Sequence, residues 1–180
     1  MGKVFLFLAD GFETVEALAV VDILRRAKID VETVSITAEL KVRSSQNVNV
    51  IADKTIDEID FEQGEMLFIP GGLPGTTNLA ACKKLEDQII KYNRKGRKLA
   101  AICAGPSVLG NLGLLEGKNA TCYPGWERTL KGANTDGRVV TDGNITTAIG
   151  MGAAIEMGLE IVGILKNDEL KEQIREAIQF

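Results

Sequence analysis

A chain of 180 residues with 45% hydrophobic content carries enough apolar material for one globular domain with a sizeable core. Lys and Arg total 21 against 25 Asp and Glu, a formal charge of -4, which gives no pull toward nucleic acid or another polyanion. The chain contains no histidine. The usual general base and the commonest metal ligand are therefore both missing, and no Cys-His or Ser-His pair can be drawn within it.

Lys3–Leu8 is a continuous run of β-favouring apolar residues, which predicts a strand buried on both faces of a parallel sheet. Ala17, Leu18, Val20, Val21, Leu24 and Ala27 then recur at helical spacing, with Thr14 as candidate N-cap and Arg25 and Arg26 near the C-terminal end. A second strand is predicted over 31–36, and the loose alternation of 42–51 suggests a short hairpin at a sheet edge. Residues 66–69 form a short strand stopped by Pro70-Gly71-Gly72. A helical pattern runs over 77–93. It overlaps a basic run, 83–98, in which Glu86 and Asp87 interrupt the cations and Leu85, Ile89 and Ile90 keep helical spacing, so this is a solvated helix face rather than a binding patch. Lys98–Ile102 is the next strand, 104–112 the next helix and 120–122 a short strand. A hairpin over 138–147 turns at Asp142-Gly143, and two helices close the chain.

Strands alternating with helices, without a linker or internal repeat, predict a single domain of the α/β class. Its architecture is a flavodoxin-like, doubly wound, mostly parallel sheet with helices on both faces. The longest apolar stretches, 4–9 and 98–104, are too short to cross a bilayer, and no secretory leader pattern opens the chain, so the expectation is a cytoplasmic protein without a membrane partner.

Ligands of doubly wound sheets bind beyond the carboxyl ends of the strands. Four such ends supply DGFETVE (10–16), PGGLPG (70–75), CAGPS (103–107) and YPGWE (123–127). The three cysteines, Cys82, Cys103 and Cys122, are odd in number and lack CxxC spacing, so they read as reduced thiols. AAICAGPSVLG (100–110) places Cys103 between a strand and a helix start, with small residues allowing a tight turn: the layout of a nucleophile elbow with Cys in place of Ser. A helix N-terminus lowers a thiol's pKa from about 8.5, which predicts an acidic Cys103. The competing reading, a small buried hydrophobe, is preferred for Cys82 and Cys122.

The backbone N–H groups of Gly72 and Ala104 frame a candidate oxyanion hole, although glycines after a strand also serve simply as turns. Glu16 falls on the same sheet edge. Ionised, it would disfavour a neighbouring thiolate, and protonated it would donate to it, so Glu16 is expected to be neutral if it touches Cys103; otherwise it is an acid favoured by a helix N-terminus. Gly150-Met151-Gly152 has Ile155 where the third glycine of a dinucleotide fingerprint belongs, and 71–77 lacks the Lys of a P-loop. No cofactor and no metal are expected.

On these residues the chain resembles the DJ-one/ThiJ/PfpI superfamily, in its DJ-one-like branch. The resemblance is carried by DGFETVEALAVVDILRRA (10–27), FIPGGLPG (68–75), AAICAGPSVLG (100–110) and TTAIGMGAAIEMGL (146–159), and it spans essentially the whole chain. It implies a flavodoxin-like homodimer in which Cys103 is the reactive, oxidation-prone thiol, Glu16 its protonated partner, and the backbone of Gly72 and Ala104 the oxyanion site. Protease-like branches carry His directly after the Cys; Ala104 stands there instead, so a peptidase would lack its base. Where the DJ-one branch often has His, this chain has Tyr123, whose phenol titrates near about 10 and is a poor base but a serviceable donor. Tyr123 is therefore expected to line the substrate pocket. The activity implied is cofactor-independent conversion of a small aldehyde or dicarbonyl, methylglyoxal to lactate in the glyoxalase III manner, with a related deglycase activity. The alternative is a redox-sensing or chaperone-like stress protein operating through oxidation of Cys103. A thiamine-pathway role finds no residue to support it.

Overall fold

The computed structural model of the chain describes residues 2–180. β1 (Lys3–Leu8) shows why its sequence is apolar after Lys3. Val4, Leu6 and Leu8 join the core on one face of the sheet, and Phe5, Phe7 and Ala9 join the core on the other. Side chains alternate along a strand, so only a strand covered on both sides needs every position apolar. Burying each of the larger ones stabilises by about 1.5–3 kcal/mol relative to exposure.

The chain continues through α1 (Thr14–Arg26), β2 (Val31–Ser35), β3 (Lys41–Arg43), β4 (Asn49–Ile51), β5 (Lys54–Thr55) and β6 (Gly64–Ile69). Then come α2 (Gly75–Ala81), α3 (Lys83–Arg94), β7 (Lys98–Ile102), α4 (Pro106–Asn111), β8 (Asn119–Ala120) and β9 (Asn134–Thr135). β10 (Val139–Asp142), β11 (Ile145–Ala148), α5 (Ala154–Leu165) and α6 (Asp168–Ala177) complete it. Seven strands form one sheet in the order β10-β11-β7-β6-β1-β2-β5. All neighbours are parallel except β10 and β11, the hairpin expected at Asp142-Gly143. α1, α5 and α6 pack on one face and α2, α3 and α4 on the other. This is the flavodoxin-like doubly wound arrangement, with its strand order reversing between β1 and β6, and the carboxyl ends of β1, β6, β7 and β11 lie along one edge.

Four local expectations are corrected. The helix over 77–93 is two helices, because Cys82 leaves the helical region (φ -77, ψ 96) and ends α2 while starting α3. β3 and β4 pair as a separate ribbon rather than as the edge of the main sheet. The loop after β1 holds that ribbon: Gly11 N–H donates to Arg43 O at 2.7 Å, and Arg43 N–H donates to Asp10 Oδ1 at 2.8 Å. The strand at 120–122 is shorter, and β8 pairs only with β9. Thr121 N–H is instead satisfied by the Thr147 hydroxyl at 2.8 Å. The N-cap of α1 is Glu13, whose carboxylate accepts Glu16 N–H at 2.7 Å, whereas the Thr14 hydroxyl turns outward to Ser44 Oγ at 2.8 Å. No described helix is long and apolar enough to cross a membrane.

Candidate active site

Cys103 directly follows β7 and stands at φ 64, in the left-handed region. A non-glycine residue there stores strain of about 1–3 kcal/mol and persists only where its surroundings over-determine it. They do so here: Cys103 N–H donates to Ala148 O at 2.9 Å and Cys103 O accepts from Tyr123 N–H at 2.8 Å. The turn closes through Gly105 N–H to Ile102 O at 2.8 Å, and a Cβ on Gly105 would fall 2.6 Å from Ile69 O. Pro106 then opens α4 at a position that needs no N–H. This is the elbow read from the sequence.

Glu16, in the first turn of α1, is only 1% exposed. Its carboxyl is hydrogen-bonded to the Cys103 thiol, receives Gly71 N–H on Oε2 at 2.9 Å, and also receives the backbone N–H of Met151. Burial, abetted by the charge of Glu13, pushes Glu16 up to about 7 against the pull of those three hydrogen bonds. The backbone amides of Gly72 and Ala104 both act on the Cys103 thiol, favouring its anion. Glu16, Gly72 and Ala104, the residues expected beside Cys103, thus all act on its thiol.

The expectation of an acidic thiol is corrected. Burial first, and then an ionised Glu16, push Cys103 up to about 12, and the amides of Ala104 and Gly72 offset only part of this. α4 spans six residues, too short a helix for its N-terminal field to outweigh desolvation. The two groups behave as a pair: with Glu16 ionised the thiol stays neutral, while a proton on Glu16 removes the repulsion and supplies a donor to the thiolate. Near neutral pH the site holds one negative charge at most.

Gly71 and Met151 escaped the sequence reading. Their contributions are backbone N–H groups, which no side-chain pattern reports, and Gly150-Met151-Gly152 reads from sequence as a failed nucleotide fingerprint and as part of the family-like segment 146–159. Tyr123 is 52% exposed beside the site, its ring approaching Gly150. Cys122 is buried in the core of the opposite sheet face and raised to about 11, chiefly by burial and then by Glu127. Cys82 packs against that same core. Among the described residues, no three His, Cys, Asp or Glu side chains are grouped to hold a metal ion.

Residues 2–164 match the DJ-1/PfpI family. DJ-1 homolog B of Arabidopsis thaliana is 37% identical over 170 residues, covering 93% of this chain and 39% of that protein; the chain spans less than half the length of this relative. Glutathione-independent glyoxalase DJR-1.2 of Caenorhabditis elegans is 28% identical over 164 residues, with 87% of this chain and 84% of the relative covered. The oxidized DJ-1 of Toxoplasma gondii superposes with a TM-score of 0.95 at 33% identity, covering 100% of this chain and 99% of that one. With its fold, its cysteine elbow and its family match in agreement, the chain belongs to the DJ-1/PfpI family.

Proposed function

We propose that this protein is a cofactor-independent enzyme that converts small reactive dicarbonyls through a covalent adduct on Cys103. The observation that carries the reading is the buried Glu16 carboxyl, raised to about 7 and hydrogen-bonded to a thiol whose anion two backbone amides favour. The glyoxalase name of the nematode relative points the same way.

The Cys103 thiol passes its proton to the Glu16 carboxylate as the sulfur electron pair attacks the aldehyde carbon of methylglyoxal and the carbonyl electrons move to oxygen. Gly72 and Ala104 N–H are the donors nearest that oxygen, which then takes the proton of Glu16 to give a hemithioacetal. The Glu16 carboxylate removes the hydrogen of that carbon as a proton, forming an enediolate, and returns it to the neighbouring carbon while the hydroxyl proton of the first carbon passes to the second oxygen. A thioester on Cys103 remains. Water adds to it, expels the thiolate and releases lactate. One carbon is oxidised as its neighbour is reduced, so no external electron acceptor enters. Deglycation of amine adducts would use the same thiol, and Tyr123 would line the pocket.

The test is lactate formation from methylglyoxal. Turnover abolished in Cys103→Ser and Glu16→Gln but kept in Cys82→Ser supports the reading; turnover kept in Cys103→Ser ends it. A second reading, redox sensing at Cys103, is favoured by the same two amides and neutral acid, which would hold a sulfinate oxygen as readily as a substrate oxygen. Rapid peroxide oxidation of Cys103 with no dicarbonyl turnover would establish it instead. We further propose that two copies pair, a reading supported by the exposed apolar Val15 and Ile155 on the adjoining helices α1 and α5. A monomeric sedimentation coefficient at micromolar concentration would dismiss that.

A further inference from the structure

The segment 150–153 between β11 and α5 is a tight turn closed by Ala153 N–H to Gly150 O at 2.8 Å. It lies against both groups of the proposed chemistry. A Cβ built on Gly150 would stand 3.8 Å from Cys103 Sγ, which puts the turn within van der Waals reach of the sulfur. One residue later, the backbone N–H of Met151 acts on the Glu16 carboxyl and favours its anion. Gly150, at φ 154, and Gly152 flank Met151, so this stretch of chain has little stiffness of its own.

Arg138, immediately before β10, grips this turn from outside. Its guanidinium donates from Nη2 to Gly152 O at 2.8 Å and from Nε to Glu156 Oε2 on α5 at 3.1 Å. Its own carbonyl accepts Ile149 N–H at 3.0 Å, which extends the β10–β11 ladder to the residue before the turn. One residue thus joins the hairpin, the turn and α5. A planar guanidinium serves two acceptors in a fixed relative geometry, which a single ammonium does not. The half-exposed ion pair with Glu156 contributes little energy by itself. Its effect is to orient the guanidinium so that Nη2 stays on the Gly152 carbonyl.

We infer that Arg138 is a positioning residue for Glu16: its hold on Gly152 O fixes the turn that sets the Met151 N–H on the acid and Gly150 against the sulfur. The side-chain bonds of Arg138 go to Gly152 and Glu156, so it acts through the turn rather than on the acid or the thiol. Cys103 and Glu13 are the titratable groups acting on Glu16, and Glu156 faces Arg138 from α5. The part of Arg138 in catalysis rests on the dicarbonyl reading above; its part in the titration of Glu16 does not.

The test is the titration midpoint of Glu16, read from the carbon-13 resonance of its side-chain carboxyl in glutamate-labelled protein and assigned by its loss in Glu16→Gln. The wild type is expected near 7. Arg138→Ala frees the turn and weakens the Met151 bond to the anion, which should raise the midpoint by about one pH unit, the lower end of what a hydrogen bond to a charged group contributes. Arg138→Lys keeps the charge but loses the fork, and should follow Arg138→Ala rather than the wild type. Glu156→Ala removes an anion, which by charge alone would lower the midpoint; release of the guanidinium should raise it instead. The Arg138 side chain is half exposed and its main-chain bond with Ile149 is kept in every variant, so the fold is expected to persist. With methylglyoxal, kcat should fall about 3–10-fold in both Arg138 variants while KM changes little, since no substrate contact is lost. A midpoint unmoved in Arg138→Ala, wild-type behaviour of Arg138→Lys, a lowered midpoint in Glu156→Ala, or an unchanged kcat in either Arg138 variant of an active enzyme would overturn the inference. If the wild type turns over no dicarbonyl, the proposed function fails, while the midpoints still decide whether Arg138 positions Glu16.

Discussion

Gly71 donates its backbone N–H to Glu16 Oε2 at 2.9 Å, and the same residue has no room for a side chain: a Cβ would stand 2.5 Å from that oxygen and 2.7 Å from Cys103 Cβ. Neither neighbour yields cheaply, since Glu16 is buried and Cys103 sits on strained backbone. Gly71→Ala is expected to destabilise the fold by about 1–3 kcal/mol through overpacking. It should also separate the acid from the thiol. Urea denaturation and iodoacetamide kinetics at Cys103 read the two effects, and a variant unchanged in both would show that the close approach has no consequence.

Glu16 links stability to pH. Its carboxyl rises from an ordinary 4.5 to about 7, with burial the largest cause. Between those values the folded chain binds more protons than the unfolded one, so stability falls as pH rises, and the contribution is fully present below 4.5. A shift of that size corresponds to a loss on the order of 3 kcal/mol across the window. Denaturation of wild type and Glu16→Gln at pH 4.5, 6 and 8 should show a slope that the amide variant lacks. Parallel curves would mean that Glu16 titrates normally in the folded chain.

The thiol itself should respond to the same substitution. An amide at position 16 cannot carry charge, so Glu16→Gln removes the repulsion that helps to hold Cys103 high. The midpoint of the pH profile for alkylation at Cys103 is expected to move to lower pH. Cys122, buried and itself raised, should label only on unfolding. Mass spectrometry of peptides after a short iodoacetamide pulse distinguishes the cysteines, and rapid labelling of Cys122 in the native chain would contradict its placement.

Asp53 provides an acid of opposite sign. Its carboxylate accepts both the N–H and the hydroxyl of Thr33 at 2.8 Å and meets Arg25 at 2.7 Å, joining the segment before β5 to β2. Burial works to raise it, but the Thr33 hydrogen bonds and the Arg25 charge together hold it below its ordinary 3.8. Its contribution is therefore present above 3.8 and lost as pH falls through the lower folded value. Asp53→Ala is expected to cost about 1–2 kcal/mol at pH 7, mostly through the Thr33 bonds, because the exposed ion pair contributes little. A deficit that persists undiminished at pH 2 would contradict this.

What the sequence made legible follows from how many independent constraints met at each element. β1, β6 and β7 are covered on both faces, so nearly every residue reports burial, and the elbow at Cys103 combines a strand end with small residues and Pro106. Where tertiary contacts decide between weak local preferences, sequence pattern alone misleads. Ala80, Ala81 and Cys82 carry no helix-breaking signal, yet the chain bends at Cys82 so that Leu79 and Leu85 both reach the same core. Thr14 is the better cap by residue type, but Ser44 claims its hydroxyl and Glu13 caps instead. The elbow, with its helix N-terminus, alone predicts a low thiol pKa. What the elbow could not reveal is how deeply the sulfur is buried and that the acid beside it lies close enough to repel.

The sheet's two margins decide how this molecule behaves among its own kind when crowded. On one side the last strand, β5, is two residues long and carries the exposed Lys54; on the other, β10 is four residues long and its terminal Asp142 is engaged by Asn119. A growing aggregate needs a long, flat row of vacant amides to copy, and neither flank supplies one. The chain can therefore keep a highly apolar parallel interior without recruiting neighbours strand against strand.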